Sequence, residues 1–266
     1  MLLSNSSLSL LNSYAIQRRV VGALLMREIL TRYGRHNIGF LWLFIEPMMF
    51  TVGITILWTL TKGAHGSSVP IVPFAVIGYS SVLLWRNSAN RVAKAIEPNL
   101  SLLYHRNVRV IDLFAARLIL EIAGSTISFV MLSTFFILIG IMDMPNDILL
   151  MIEAWALLAW FAISLGLIIG AISESSEVFD RFWHTITYLL FPFSGAVFMV
   201  HWLPKSVQEF VLLLPMVHGV EMLRHGYFGD IIKTYENVSY MALVNLILLL
   251  LGLALVKEVA KKVEPE

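Results

Sequence analysis

The chain has 266 residues, 58% of them hydrophobic and only 14% charged, with a formal net charge of +1. That balance excludes an ordinary soluble domain, and charge that is neither large nor clustered on one face gives no sign of a nucleic-acid partner. Cysteine is absent, which excludes thiol catalysis, a disulfide framework and a cysteine metal site.

In chain order, residues 1–13 are apolar but short. They lack a basic head and a small-residue cleavage site, so they do not read as a signal peptide. Residues 15–33 read as a helix lying at the membrane surface, with the stems of Arg18 and Arg27 snorkelling into headgroups. Six stretches free, or nearly free, of Asp, Glu, Lys and Arg follow, at 38–60, 69–85, 122–142, 154–173, 182–203 and 238–256. A helix rises about 1.5 Å per residue, so roughly 20 residues cross a hydrocarbon core about 30 Å thick. The expected fold is therefore an all-α integral membrane protein with six transmembrane helices. Its spans are expected at about 38–60, 69–88, 113–142, 148–173, 181–200 and 237–257. They lie between a tail and interfacial helix (1–33) and a short tail (257–266).

Basic residues orient the spans. With the N-terminus inside, Arg18, Arg19, Arg27, Arg32, Arg35, Arg91, Lys94, Arg106, Arg109, Arg181, Lys257, Lys261 and Lys262 all lie inside, 13 of the 19 Lys and Arg. Arg86 and Arg117 fall at inner span ends, and only Lys62, Lys205, Arg224 and Lys233 fall outside. The positive-inside rule then places both termini in the cytoplasm.

The connections differ in character. Residues 62–70 form a Gly/Ser turn outside, 86–112 a long inner connection, 143–147 a tight outer turn containing Pro145, and 174–180 a short acidic inner turn. The stretch 207–220 is apolar, too short to span, and broken by Pro215. It reads as an outer re-entrant hairpin or a cap lying flat.

Few residues carry chemistry. No G-x-x-x-x-G-K-[ST] loop and no G-x-G-x-x-G occurs, so the chain does not hydrolyse ATP by itself. Glu46 lies about eight residues inside the first span, where a carboxylate costs about 2.5–3.5 kcal/mol on insertion scales. Pro47 beside it permits a bend. No second acid sits in another span to form a proton relay. The favoured role for Glu46 is thus structural, paired with an inner arginine or a backbone donor. Arg117 and Glu121, at i and i+4, are expected to pair within their helix and so lower its insertion cost. His218, Glu221 and His225 share a helix face at i, i+3 and i+7, a weak pattern for a divalent metal; polar residues at a membrane edge explain it as well, and no metal is expected. Phe129, Phe135, Phe136, Tyr188, Phe191, Phe193 and Phe198 lie within spans, where they suit either sugar rings or ordinary packing.

The stretch Asn37-Ile-Gly-Phe-Leu-Trp-Leu-Phe-Ile-Glu-Pro47 resembles the opening of the first span in type-2 ABC exporter permeases. Arg86-Asn-Ser-Ala-Asn-Arg91, Asn99-Leu-Ser-Leu-Leu-Tyr-His-Arg106 and Val110-Ile-Asp112 fit the same pattern, as does Leu214-Pro-Met-Val-His-Gly-Val-Glu-Met-Leu-Arg224 leading to Gly226-Tyr-Phe-Gly229. The resemblance runs from about Arg27 to Val256 and is nearest to the inner-membrane permease of group 2 capsular polysaccharide exporters in Gram-negative bacteria. It implies a non-catalytic subunit in the bacterial inner membrane, paired with a second copy of itself. It also implies a cytoplasmic ABC ATPase dimer, which binds the ATP and magnesium; this chain needs no cofactor of its own. The substrate implied is a lipid-linked, acidic polysaccharide, with periplasmic and outer-membrane export proteins as candidate partners. O-antigen or teichoic-acid export stays open, as do a secondary carrier and an integral-membrane transferase. A coupling helix is implied at Pro98, Asn99, Leu100, Leu102, Leu103, Tyr104 and Arg106. Pro98 suits a first helical position, and the apolar residues after it need a partner groove on the water side. A channel closed by the outer hairpin is implied, with Phe129, Tyr188, Phe191, Phe193, Trp202, Met216 and His218 along it. Glu46, Arg117 and Glu121 are its structural membrane charges.

Overall fold

The computed structural model describes residues 5–33, 37–62, 69–104 and 107–263, with side chains from 13–31, 41–61, 69–104 and 107–263. The described residues form ten α-helices and no strand: α1 (Asn5–Tyr33), α2 (Asn37–Lys62), α3 (Ile71–Val92), α4 (Leu100–Leu103), α5 (Val110–Leu138), α6 (Ile148–Ser175), α7 (Glu177–Leu190), α8 (Lys205–Val211), α9 (Pro215–Phe228) and α10 (Val238–Val263). By length and apolar composition four of them can cross a membrane: α2 over Leu41–Thr61, α5, α6 and α10. The pair α8 and α9 bends by 105° at its break and adds a fifth if counted as one span.

Two of the six expected spans take another form. The second is α3, which runs past the expected end at 88 to Val92. Ser80, Ser81, Arg86, Asn87, Ser88, Asn90 and Arg91 lower its hydropathy, and it tolerates them by packing among α2, α5, α6 and α9. The fifth, 181–200, is not a single helix. α7 ends at Leu190 and a 3-10 turn follows at Phe191–Phe193. Pro192 has no N–H to continue the ladder, the Ser194 hydroxyl donates back to the Phe191 carbonyl at 2.6 Å, and Gly195 adopts φ +83°. The chain then runs irregularly to a second 3-10 turn at Val200–Trp202.

α6 is the hub, packed against α3, α5, α7, α9 and α10. Its Gly166 and Gly170, spaced i and i+4, make this closeness possible, because small residues let helix backbones approach in a membrane. A Cβ on Gly166 would lie 2.7 Å from the Leu118 side chain, and one on Gly170 2.4 Å from Val92 and 3.0 Å from Phe114. α5 uses the same device against α2. Gly124 accepts Leu43, and the Ser128 hydroxyl donates to the Phe44 carbonyl just before Pro47.

Gly170→Leu should therefore force α6 off α3 and α5, costing about 1–3 kcal/mol or more by overpacking. Gly22, with open space around it, serves as the control. Thermal unfolding of the purified protein in detergent should show a large loss for Gly170→Leu and none for Gly22→Ala.

Candidate coupling surface and transport seam

At one end of the bundle, α3 stops at Val92 and the chain turns through Lys94, whose φ of +49° reverses its direction. A 3-10 turn (Glu97–Asn99) and α4 follow. Four contacts fasten this short unit. The Glu174 carboxylate at the end of α6 accepts the Ile96 N–H at 2.6 Å. Lys94 lies 3.9 Å from Asp180 of α7, Asn99 takes a hydrogen bond from Arg27 of α1, and Leu103 is buried among Leu24, Val92, Ile96 and Val110. The acidic turn between α6 and α7 thus grips the unit at two points, which its sequence alone does not announce.

Exposure sorts the expected docking residues. Pro98, Leu100 and Tyr104 face solvent, Leu102 is half-buried, and Asn99 and Leu103 are buried. Arg106 lies outside the described residues. The expectation that the whole run from Pro98 presents itself to a partner is corrected: Asn99 and Leu103 hold the unit down, while Leu100 (45% exposed) and Tyr104 (78%) are offered.

The structural charges reach across helices. Arg117 pairs with Glu28 of α1 at 3.2 Å and donates to the Arg91 carbonyl of α3, while Glu121 lies 3.6 Å from Arg91. They tie α1, α3 and α5 together. Among the described residues Glu46 has neither an arginine nor a backbone donor, and it lines an open groove with Trp42, Met49, Phe50, Gly53 and Ile54; the side chains of Arg32 and Arg35 lie outside the described residues.

At the opposite end lies the hairpin. Pro215 opens α9 as its first residue, a position where its missing N–H costs nothing. The helix is buried along nearly its whole length. Arg224, fully buried, donates to the Phe198 and Ala196 carbonyls at 2.5 and 2.7 Å, and its guanidinium carbon sits 3.9 Å over the Phe74 ring. Glu221 lies 3.9 Å from Arg224 and accepts the Val200 N–H. One ion pair therefore pins the irregular segment 194–202 to α9 and to α3, whose Gly78 leaves room; a Cβ there would lie 2.5 Å from the Ala196 carbonyl oxygen. The sequence carries the signal, a Glu and an Arg at i and i+3 in an apolar run.

His218, Glu221 and His225 do not converge, and no group of three metal-ligating side chains forms among the described residues. His218 contacts the Leu212 carbonyl and the Asn237 N–H, and His225 pairs with Glu236. Met216 and His218 are buried, 3% and 5% exposed, so within one protomer they are packing residues rather than a lining. Phe129 is buried as well, stacked on Trp155 at 4.6 Å between α5 and α6. Tyr188, Phe193 and Trp202 are exposed, and Phe191 packs edge-on to Tyr79.

The family profile described as ABC-2 type transporter matches residues 19–228. The chain is 53% identical over 254 residues to the capsule polysaccharide export inner-membrane protein CtrC of Neisseria meningitidis serogroup B, covering 96% of each. It is 48% identical, again over 96% of each, to the capsule polysaccharide export inner-membrane protein BexB of Haemophilus influenzae. To the polysialic acid transport protein KpsM of Escherichia coli it is 27% identical over 247 residues, covering 92% of this chain and 95% of that protein.

Removing Arg224 leaves the buried Glu221 without its cation and two carbonyls without their donor, a change that costs about 3–5 kcal/mol. Arg224→Met should therefore unfold at markedly lower temperature. Adding Glu221→Leu should recover part of the loss, since the orphaned charge goes with it. A double-mutant cycle on thermal unfolding measures both.

Proposed function

The chain belongs to the ABC-2 type transporter family, and on that premise we propose that it is the membrane-spanning subunit of an ATP-driven exporter that moves capsular polysaccharide across the bacterial inner membrane. The observation that carries this reading is the near full-length likeness to capsule polysaccharide export inner-membrane proteins at 48–53% identity. The chain itself is not an enzyme; a separate cytoplasmic ATPase pair supplies ATP hydrolysis. Both termini and the α4 unit face the cytoplasm, and the α8–α9 hairpin lies on the outer side. The buried, polar α3 and the interrupted α7 complete six crossings.

Two copies of the chain form the pathway. α2 leaves Trp42, Met49, Phe50, Ile56, Leu57 and Leu60 exposed, and α7 leaves Val178, Phe182, Tyr188 and Leu189. Glu46, without a partner among the described residues, lies on that open α2 face and is covered by the second copy or by substrate. Tyr188, Phe191, Phe193 and Trp202 line the route; Phe129, Met216 and His218 support it from behind.

Coupling follows from the fastenings of α4. Leu100 and Tyr104 dock in an apolar cleft of the ATPase. When the two ATPases close, the unit moves, and its load passes to α6 through Glu174 and Ile96, to α7 through Asp180 and Lys94, and to α1 through Arg27 and Asn99. Small displacements there shift packed helices as rigid bodies.

The test separates docking from folding. Leu100→Asp and Tyr104→Asp should abolish co-purification of the ATPase and surface polysaccharide while the permease still inserts and keeps its stability. Leu103→Asp should destabilise the permease itself, because it buries an unpaired charge. Normal ATPase co-purification with both exposed-site variants would refute this coupling surface.

A further inference from the structure

Three contacts join α3 to the α7 side: Tyr79 with Phe191, Arg86 with Tyr188, and Asn90 with Trp183. The outer two are complete. Tyr79 and Phe191 meet edge-on at 5.8 Å, and the Trp183 indole N–H donates to the Asn90 side chain at 2.8 Å. The middle one is not. The Arg86 guanidinium lies 5.1 Å from the centroid of the Tyr188 ring, but it has no carboxylate and no hydrogen-bond acceptor among the described residues. Its Nε is covered and lacks a partner, as does that of Arg224; what sets Arg86 apart is that no carboxylate of the described residues pairs with it. Other arginines of the bundle are matched: Arg91 with Glu121, Arg117 with Glu28, Arg224 with Glu221.

A guanidinium is always charged and carries five N–H donors in a fork that fits a planar or tetrahedral oxyanion. Holding one inside a helical bundle without an acceptor is costly, and an intramembrane ionisable residue is retained where a partner arrives to meet it. Tyr188 beside it is 66% exposed, so an aromatic face and an unanswered cation stand together on the open side of the α3–α7 seam. Arg86 is six residues before the end of α3, about 9 Å of helix at 1.5 Å per residue, which puts it near the α4 end of the seam.

We propose that Arg86 and Tyr188 form a binding site for an acidic glycan, with Arg86 taking the oxyanion of a sugar carboxylate or phosphodiester and Tyr188 stacking on the sugar ring. The proposal rests on the export reading above. A lipid phosphate would offer Arg86 the same chemistry, and the test distinguishes the two sources.

The permease–ATPase complex is reconstituted in phosphatidylcholine nanodiscs. Binding of a fluorescent sialic acid oligomer is read by anisotropy, beside the same oligomer with its carboxyl groups reduced. A second arm replaces part of the lipid with phosphatidylglycerol and measures how much co-purifies after detergent extraction. Wild type should bind the acidic oligomer and not the reduced one, more weakly as salt rises. Arg86→Gln should weaken binding at least about tenfold, Arg86→Lys less, since a lysine keeps charge without the fork. Tyr188→Ala, at an exposed position, should weaken glycan binding and leave phosphatidylglycerol retention unchanged; it also serves if Arg86→Gln fails to fold. Dependence on Arg86 only in the phosphatidylglycerol arm would make the ligand a lipid phosphate and overturn the glycan site. Wild type binding neither probe, or binding by Arg86→Gln equal to wild type, overturns it outright. Loss of dimerisation in Arg86→Gln with glycan binding intact overturns it too, in favour of a carboxylate from the second copy. These results count against the site alone when the wild-type complex retains its ATPase; a permease that never associates with an ATPase counts instead against the export reading.

Discussion

Arg224 makes the polar contacts around which the hairpin end of the bundle is organised. A segment of irregular backbone, 194–202, is largely buried among helices, and irregular backbone shielded from water needs partners supplied by protein. Arg224 supplies two donors, Glu221 accepts from Val200, and the ion pair between them keeps each charge matched while Phe74 covers the guanidinium face. That pair adds polar anchoring to apolar packing, in which Val200 meets Val217 and Val211, and α9 is buried against α3, α6 and α10. The turn 143–147 then closes over the far end of α9, through the Asp147 N–H to the Gly226 carbonyl and the Tyr227 hydroxyl to the Asp143 carbonyl.

The opposite half is organised by small residues and by charges that cross between helices. Gly166 and Gly170 bring α6 against α5 and α3, and Arg117, Glu28, Arg91 and Glu121 join α1, α3 and α5. The α4 unit hangs from this assembly by side chains of α1, α6 and α7 and not by α3 alone, although it follows α3 in the chain. In the proposed coupling, force applied at Leu100 and Tyr104 would be directed into the helix hub and into α7, the helix whose far end Arg224 steadies.

Much of this was legible in the residue order where apolar length decides structure. The first, third, fourth and last apolar helices, a helix before them and the break at Pro215 follow from hydropathy and proline. What was not legible depends on tertiary partners. α3 carries too many polar residues for a lipid-facing helix and is stable because other helices surround it. The stretch 181–200 is mostly apolar, yet Pro192 and Gly195 divide it, and Arg224 and Glu221 from a distant segment help to satisfy the backbone that the division frees. The aromatic residues were indistinguishable by type: Phe129 packs in a seam while Tyr188 stands open. Burial likewise separated Leu103 from Leu100 within one short helix, where both look alike in sequence. Glu46 lines an open groove, and Arg86, expected at a span end, lies within α3 with Tyr188 beside it and no acidic partner among the described residues.

The central claim is that this chain forms a polysaccharide pathway driven by a separate ATPase. The most direct measurement is transport in proteoliposomes that contain the permease with or without its ATPase, loaded with ATP and acidic capsular polysaccharide on the side of the ATPase. Movement of polysaccharide to the other side that requires the ATPase and hydrolysable ATP, and is unaffected by collapsing proton and sodium gradients, is the predicted result. Movement by the permease alone, driven by an ion gradient and indifferent to ATP, would contradict it.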